Sequence, residues 1–208
     1  MAPPVIPPDA LLLLDYFGIA VFAVSGALTA AERKLDFVTF IFFAVVTGVG
    51  GGTIRDLLIG APVFWVNTNA TLLICIGAAL AAWLVPSRPF AGRAILWFDA
   101  AGMVAYAIYG ASKALDYGVA PVPAFVMGVL TACAGGIIRD VIGSEKTILL
   151  RGELYITPAA LAAVLFVGLD VAGLPGGLSA PIAALAGFTL RALAITRGWS
   201  MPTYGQRY

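Results

Sequence analysis

Two short runs hold most of the chemistry available in this sequence: GGGTIRD at residues 50–56 and AGGIIRD at residues 134–140. Each sets consecutive glycines just ahead of an adjacent Arg and Asp, within a stretch that is otherwise apolar. Consecutive glycines forfeit side-chain packing and permit a bend, so Gly50, Gly51 and Gly52, and likewise Gly135 and Gly136, can interrupt a helix. Carbonyls and half-helix ends released at such an interruption can ligate an ion inside a bilayer. Thr47 and Thr131, one turn earlier, and Thr53 within the first run supply hydroxyl oxygens. The same glycines have a plainer use, since they let two helices approach closely.

The charged residues of the two runs suggest ion pairing. An ionisable group at the centre of a membrane span costs at least about 2.5 kcal/mol, so Arg55, Asp56, Arg139 and Asp140 need a physical account. A regular helix from Phe37 reaches Arg55 after about 27 Å, which places Arg55 near one membrane boundary and Arg139 near the other. There the arginines either snorkel to the surface or pair with carboxylates. Asp15 and Asp99, at the matching ends of the preceding spans, are the natural partners beside Asp56 and Asp140, and pairing at each face is expected over one central cluster. Lys113, the equivalent positions Ser25 and Tyr109, and the pair Phe22 and Tyr106 are weaker candidates for lining a pore, with packing or interfacial anchoring as the alternative.

Other chemistries are excluded by composition. There is no His, and both cysteines, Cys75 and Cys133, sit in apolar runs, so neither an imidazole base nor a soft metal site is available and no cofactor is expected. A net charge of +1 without a basic stripe excludes a nucleic-acid binder.

The elements that must position these residues are membrane helices. With 61% hydrophobic and 11% charged residues and a mean hydropathy of +0.99, the 208-residue chain cannot cover a water-soluble globule. The apolar runs exceed strand length, so the fold class is an all-α integral membrane protein. Charge distribution predicts seven spans: about 11–31, 37–59, 70–85, 97–112, 121–142, 154–169 and 178–195. The N-terminal MAPPVIPPDA has no positive n-region, so the first apolar run is expected to remain as a span. One side receives Arg33, Lys34, Arg88, Arg93, Arg139, Lys146, Arg151, Arg191, Arg197 and Arg207, the other only Arg55 and Lys113. This bias puts the N-terminus outside and the C-terminus in the cytoplasm. Arg191, Arg197, Trp199 and Arg207 read as a tail anchored to anionic lipid.

A shift of 84 residues aligns Asp15–Asp56 with Asp99–Asp140 without a gap, with 14 identities in 42 positions, among them both runs and both leading aspartates. The chain is thus a single membrane domain over 1–208, with repeat one at about 11–85, repeat two at about 97–171, a seventh helix at about 178–195 and a tail at 196–208. Three spans per repeat force the two copies to insert with opposite topology. Small-residue steps, Ala23 to Ala27 and Ala107 to Ala111, suit close contact either between repeats or between protomers.

Two inverted three-helix repeats plus one helix, with GGGTIRD in span two and AGGIIRD in span five, resemble the trimeric intracellular cation (TRIC) channels in their prokaryotic branch, which also carries a glycine-transporter domain label. The resemblance covers about 15–195. It implies a homotrimer with a monovalent-cation, potassium-preferring pore in each protomer, formed around glycine-kinked helices two and five, and membrane lipids as the other partners. Animal members carry a Lys-Glu-Val box linked to phosphoinositide binding, and no such box occurs here. The expectation is a non-enzymatic channel of a bacterial cytoplasmic membrane. The alternative is a secondary transporter of a small solute such as an amino acid, since alternating-access carriers use the same inverted repeats.

Overall fold

The computed structural model describes residues 5–84, 91–144 and 154–201. They form seven helices: α1 (Pro8–Glu32), α2 (Phe37–Leu58), α3 (Asn69–Leu84), α4 (Ala91–Asp116), α5 (Pro121–Ile142), α6 (Ile156–Val171) and α7 (Gly176–Arg197). Of the basic residues used to orient the chain, Arg88, Lys146, Arg151 and Arg207 lie outside the described residues, as do the side chain of Arg93 and the tail beyond residue 201.

Local chemistry sets the helix ends. Asp36 caps α2, its carboxylate accepting from the Thr39 amide at 3.0 Å and the Thr39 hydroxyl at 2.7 Å. Prolines open α1 and α5, where the missing N–H has no helical partner to lose. Gly198, at φ +66°, ends α7 in the left-handed region. Both repeats make the same positive-φ turn after their first helix, Lys34 at φ +56° and Gly118 at φ +78°, and these positions are equivalent under the 84-residue shift. Repeat two uses the residue that adopts this conformation without a Cβ penalty.

Five helices have the length and apolarity to cross a membrane, whereas α3 and α6 have 16 residues each. At 1.5 Å per residue that is about 24 Å, somewhat less than a hydrocarbon core of about 30 Å. The fourth helix is longer than the expected 97–112, because residues 91–96 precede that span and residues 113–116 continue it and bury Ala114.

α1 packs on α2, α3 and α4; α4 packs on α5, α6 and α7; and α2 crosses α5. The contacts are reciprocal between repeats. Gly18 of α1 faces the Tyr106 ring of α4, and Gly102 of α4 faces the Phe22 ring of α1. Gly51 of α2 lies on the Thr131 carbonyl of α5, while Gly135 of α5 lies on the Thr47 carbonyl of α2. A later residue of each helix thus meets an earlier residue of the other, so α2 and α5 cross antiparallel, as inverted repeats require. Ala23, Ala27, Ala107 and Ala111 are fully enclosed within the protomer, which assigns the small-residue steps to packing inside one chain.

The expected interruption at the glycines is absent. Both α2 and α5 remain α-helical through Gly50, Gly51 and Gly52 and through Gly135 and Gly136. The glycines admit close neighbours instead: a Cβ on Gly135 would stand 2.5 Å from the Thr47 carbonyl oxygen, and one on Gly52 would stand 2.6 Å from the Phe64 ring. Glycine is used here for close approach, with the helical hydrogen bonds kept.

Candidate functional site

Two buried charge clusters occupy opposite ends of the bundle. The N-terminal segment lies with the end of α4 and the start of α7, since the Val5 amide donates to Asp116 at 3.0 Å and the Val5 carbonyl abuts Gly176. The first cluster is at this end. Arg55 and Asp56, near the end of α2, are completely buried. Arg55 Nε donates to Asp56 Oδ1 at 2.9 Å, and Nη2 is 2.8 Å from the same oxygen. Lys113 of α4 reaches the same carboxylate, with Nζ 2.9 Å from Oδ1 and 3.0 Å from Oδ2. The Phe64 amide donates to Oδ2 at 3.0 Å and ties the loop after α2 to the cluster. The Arg55 guanidinium lies over the Tyr109 ring, 4.7 Å from its centroid, a contact worth about 0.5–2 kcal/mol. Asp15 of α1 is buried beside Arg55, Lys113 and Asp56 with the Tyr109 side chain as its hydrogen-bonding neighbour, and among the described residues its Oδ1 has no hydrogen-bond partner.

The second cluster gathers at the other end, around Arg139 of α5. Its Nε and Nη2 bind Asp140 Oδ1 at 2.9 and 2.7 Å, and its Nη1 donates to Asp99 Oδ1 of α4 at 2.9 Å and to the Ser25 hydroxyl of α1 at 2.5 Å. Arg191 of α7 is fully buried nearby, donating to the Leu154 carbonyl at 2.8 Å and lying 5.5 Å from the Tyr155 ring centroid. Gly136 leaves room for this group, since a Cβ there would meet the Tyr155 hydroxyl at 2.5 Å and Asp99 Oδ1 at 2.9 Å.

The clusters exchange residues between repeats. Position 109, from repeat two, faces Arg55 of repeat one, and the equivalent position 25, from repeat one, faces Arg139 of repeat two. Asp99 makes a direct ion pair with its arginine, whereas Asp15 makes none with Arg55. Lys113 has no counterpart, because Thr29 stands at the matching place and hydrogen-bonds back to the Ser25 carbonyl at 3.1 Å.

The remaining predicted residues fall around the crossing. Thr47 and Thr131 are buried; the Thr131 hydroxyl donates to the Met127 carbonyl at 2.6 Å, and the Thr47 hydroxyl has no hydrogen-bond partner among the described residues. Thr53 donates to the Val49 carbonyl at 2.7 Å and accepts from the Trp65 indole at 2.9 Å. Gly50 faces Ile138 of α5. Snorkelling is excluded for Arg55 and Arg139, which are buried and bonded. Arg191, expected in a lipid-anchored tail, is instead buried, because α7 continues to Arg197 and turns Arg191 inward. An Arg inside an otherwise apolar helix was the available signal. Phe64, Trp65 and Tyr155 carry no such signal, being aromatic residues in short loops or at a helix start.

Comparison with known proteins follows the same two-fold pattern. A family model described as "Glycine transporter" matches residues 12–87 and again residues 96–170, at the offset that aligns the two motifs. A UPF0126 membrane protein of Vibrio cholerae is 40% identical over 205 residues, covering 93% of this chain and 82% of that protein. The UPF0126 inner membrane protein YadS of Escherichia coli K12 is 36% identical over 156 residues, covering 73% and 74%. Among solved structures, the TRIC trimeric intracellular cation channel orthologue from Rhodobacter sphaeroides superposes with a TM-score of 0.86 at 44% identity, over 92% of this chain and all of that one. A prokaryotic TRIC channel studied in 0.5 M KCl superposes with a TM-score of 0.82 at 29% identity, over 93% and 99%.

Proposed function

Because the chain belongs to the TRIC channel family, in the prokaryotic branch whose sequence model is described as a glycine transporter, we propose that it conducts monovalent cations with a preference for potassium. In this reading it is a homotrimer with one pore in each protomer, set in a bacterial cytoplasmic membrane with the N-terminus outside and the C-terminus inside. The observation that carries it is the antiparallel α2–α5 crossing with a compensated charge cluster at each end. A pathway for cations tolerates buried arginines only where carboxylates cancel them, and among the described residues both clusters contain two bases and two acids.

The pathway runs beside the crossing, bordered by Thr47, Gly50, Gly51, Gly52 and Thr53 on α2 and by Thr131, Gly135 and Gly136 on α5. Ser25 and Tyr109 stand at its two ends. Gly51 and Gly135 rest against facing carbonyls in the arrangement seen, so the crossing is the closed point and opening moves α2 and α5 apart. Separating them exposes the Thr47 and Thr131 carbonyls, oxygen ligands that can replace part of a cation's hydration shell.

Recording from the purified protein in planar bilayers under a potassium gradient tests this. Discrete current steps reversing near the potassium equilibrium potential are expected. A second reading, secondary transport of a small solute such as an amino acid, draws on the same inverted repeat and on the description of the family model. Saturable, ion-coupled uptake into vesicles without unitary currents would favour it.

A further inference from the structure

We propose that Asp15 determines the preference for cations over anions at the end of the pathway that holds Arg55 and Lys113. This rests on the channel reading above and assigns its selectivity to one carboxylate. The first cluster brings two bases onto one acid: Arg55 and Lys113 both bind Asp56, which leaves that triad one positive charge in excess. Left so, the group would repel an approaching cation. Asp15 is the remaining charge in the cluster and cancels the excess.

Symmetry shows what distinguishes this carboxylate. Its counterpart Asp99 is held by Arg139 at 2.9 Å, so its charge is committed to a contact pair. Asp15 is bonded to neither base. Among the described residues its Oδ1 is enclosed and without a hydrogen-bond donor, as is Asp99 Oδ2, so what sets Asp15 apart is that it makes no ion pair. The cause lies at the equivalent positions 25 and 109. The small Ser25 leaves Arg139 Nη1 open to both the serine hydroxyl and Asp99, whereas the larger Tyr109 lies over the Arg55 guanidinium and is the side-chain hydrogen-bonding neighbour of Asp15. A carboxylate outside any ion pair has its charge uncommitted to a contact base and acts on a passing cation through its field. The Lys113 side chain is 16% exposed, so this cluster also opens at its edge, while Arg139 is 1% exposed and Asp99 is wholly enclosed.

The test measures potassium-over-chloride permeability in planar bilayers under a KCl gradient, with trimer elution and thermal unfolding as folding controls. Asp15→Asn is expected to fold and conduct, with the ratio reduced at least about tenfold, a conservative figure for one charge a few ångströms from the path. Asp15→Glu retains the ratio of the unaltered protein. Lys113→Gln raises it, and decides the matter if Asp15→Asn does not fold. A folded Asp15→Asn protein with unchanged selectivity, or Lys113→Gln without any rise, overturns the assignment and leaves the channel reading intact. An unaltered protein that passes no unitary current overturns both.

Discussion

Gly51 of α2 rests on the backbone carbonyl of Thr131 in α5, and the 84-residue shift converts this contact into its mirror, Gly135 on Thr47. A side chain at either glycine meets main chain, which cannot rotate away. Gly51→Ala and Gly135→Ala are therefore expected to destabilise the protein by about 1–3 kcal/mol each through overpacking. Gly77→Ala and Gly168→Ala, where an added Cβ meets open space in α3 and α6, should be neutral or slightly stabilising, by up to about 1 kcal/mol. Thermal unfolding in detergent compares the four, and equal melting temperatures would refute the close-approach account.

The two leading aspartates should behave differently. Asp99→Asn removes a charge from a buried pair and leaves Arg139 with one carboxylate in place of two, so a loss of about 3–5 kcal/mol is expected. Asp15→Asn breaks no ion pair and should cost far less. Denaturation of the two variants in the same detergent checks this, and a larger loss for Asp15→Asn would contradict the geometry.

Lys113 and Asp56 offer a direct measure of coupling across the repeats. Asp56→Asn leaves two bases without their shared acid, so it should be the most destabilising single change in the first cluster. Adding Lys113→Met to it should recover part of the loss, with an interaction energy above about 1 kcal/mol in a double-mutant cycle. Additive losses would mean that the pair contributes nothing.

Tyr109→Ser installs at the first cluster the residue that the second one has at position 25. With the ring gone, Arg55 is expected to reach Asp15 as Arg139 reaches Asp99, which commits that carboxylate to an ion pair. On the channel reading proposed above, unitary potassium current should fall while the protein stays folded. Single-channel recording of the serine variant, with Tyr109→Phe as the ring-preserving control, decides between loss of current and no change.

A pH effect is expected at the Asp36 cap. The Thr39 hydroxyl and amide hold its carboxyl below the usual carboxylate range. A lowered value means that the cap contributes stability above the unfolded pKa, near about 4, and loses it as the pH falls through the folded value. Hydrogen exchange at the first-turn amides of α2 should be flat from neutral pH down to about 5 after correction for intrinsic rates. Acceleration already at pH 6 would show that another group controls this end.

The sequence by itself determined the membrane class, the number of helices, the inverted repeat and the identity of the buried charges. Apolar length and charge placement are written residue by residue, and a duplication leaves its mark in the spacing of Asp15 and Asp99, Arg55 and Arg139. The partners of those charges were legible only as alternatives, because adjacency in sequence offers Asp56 to Arg55 as readily as a span-end match offers Asp15. Only the tertiary structure decided that Asp99 pairs while Asp15 does not, since the outcome depends on a ring from α4 lying over a side chain of α2. It also decided that the glycines serve contact and not a break in the helix, which depends on what stands opposite them. Arg191 turned inward for the same reason: a helix end read from hydropathy has no facing side, and the packing of α7 against α4 and α6 supplies one.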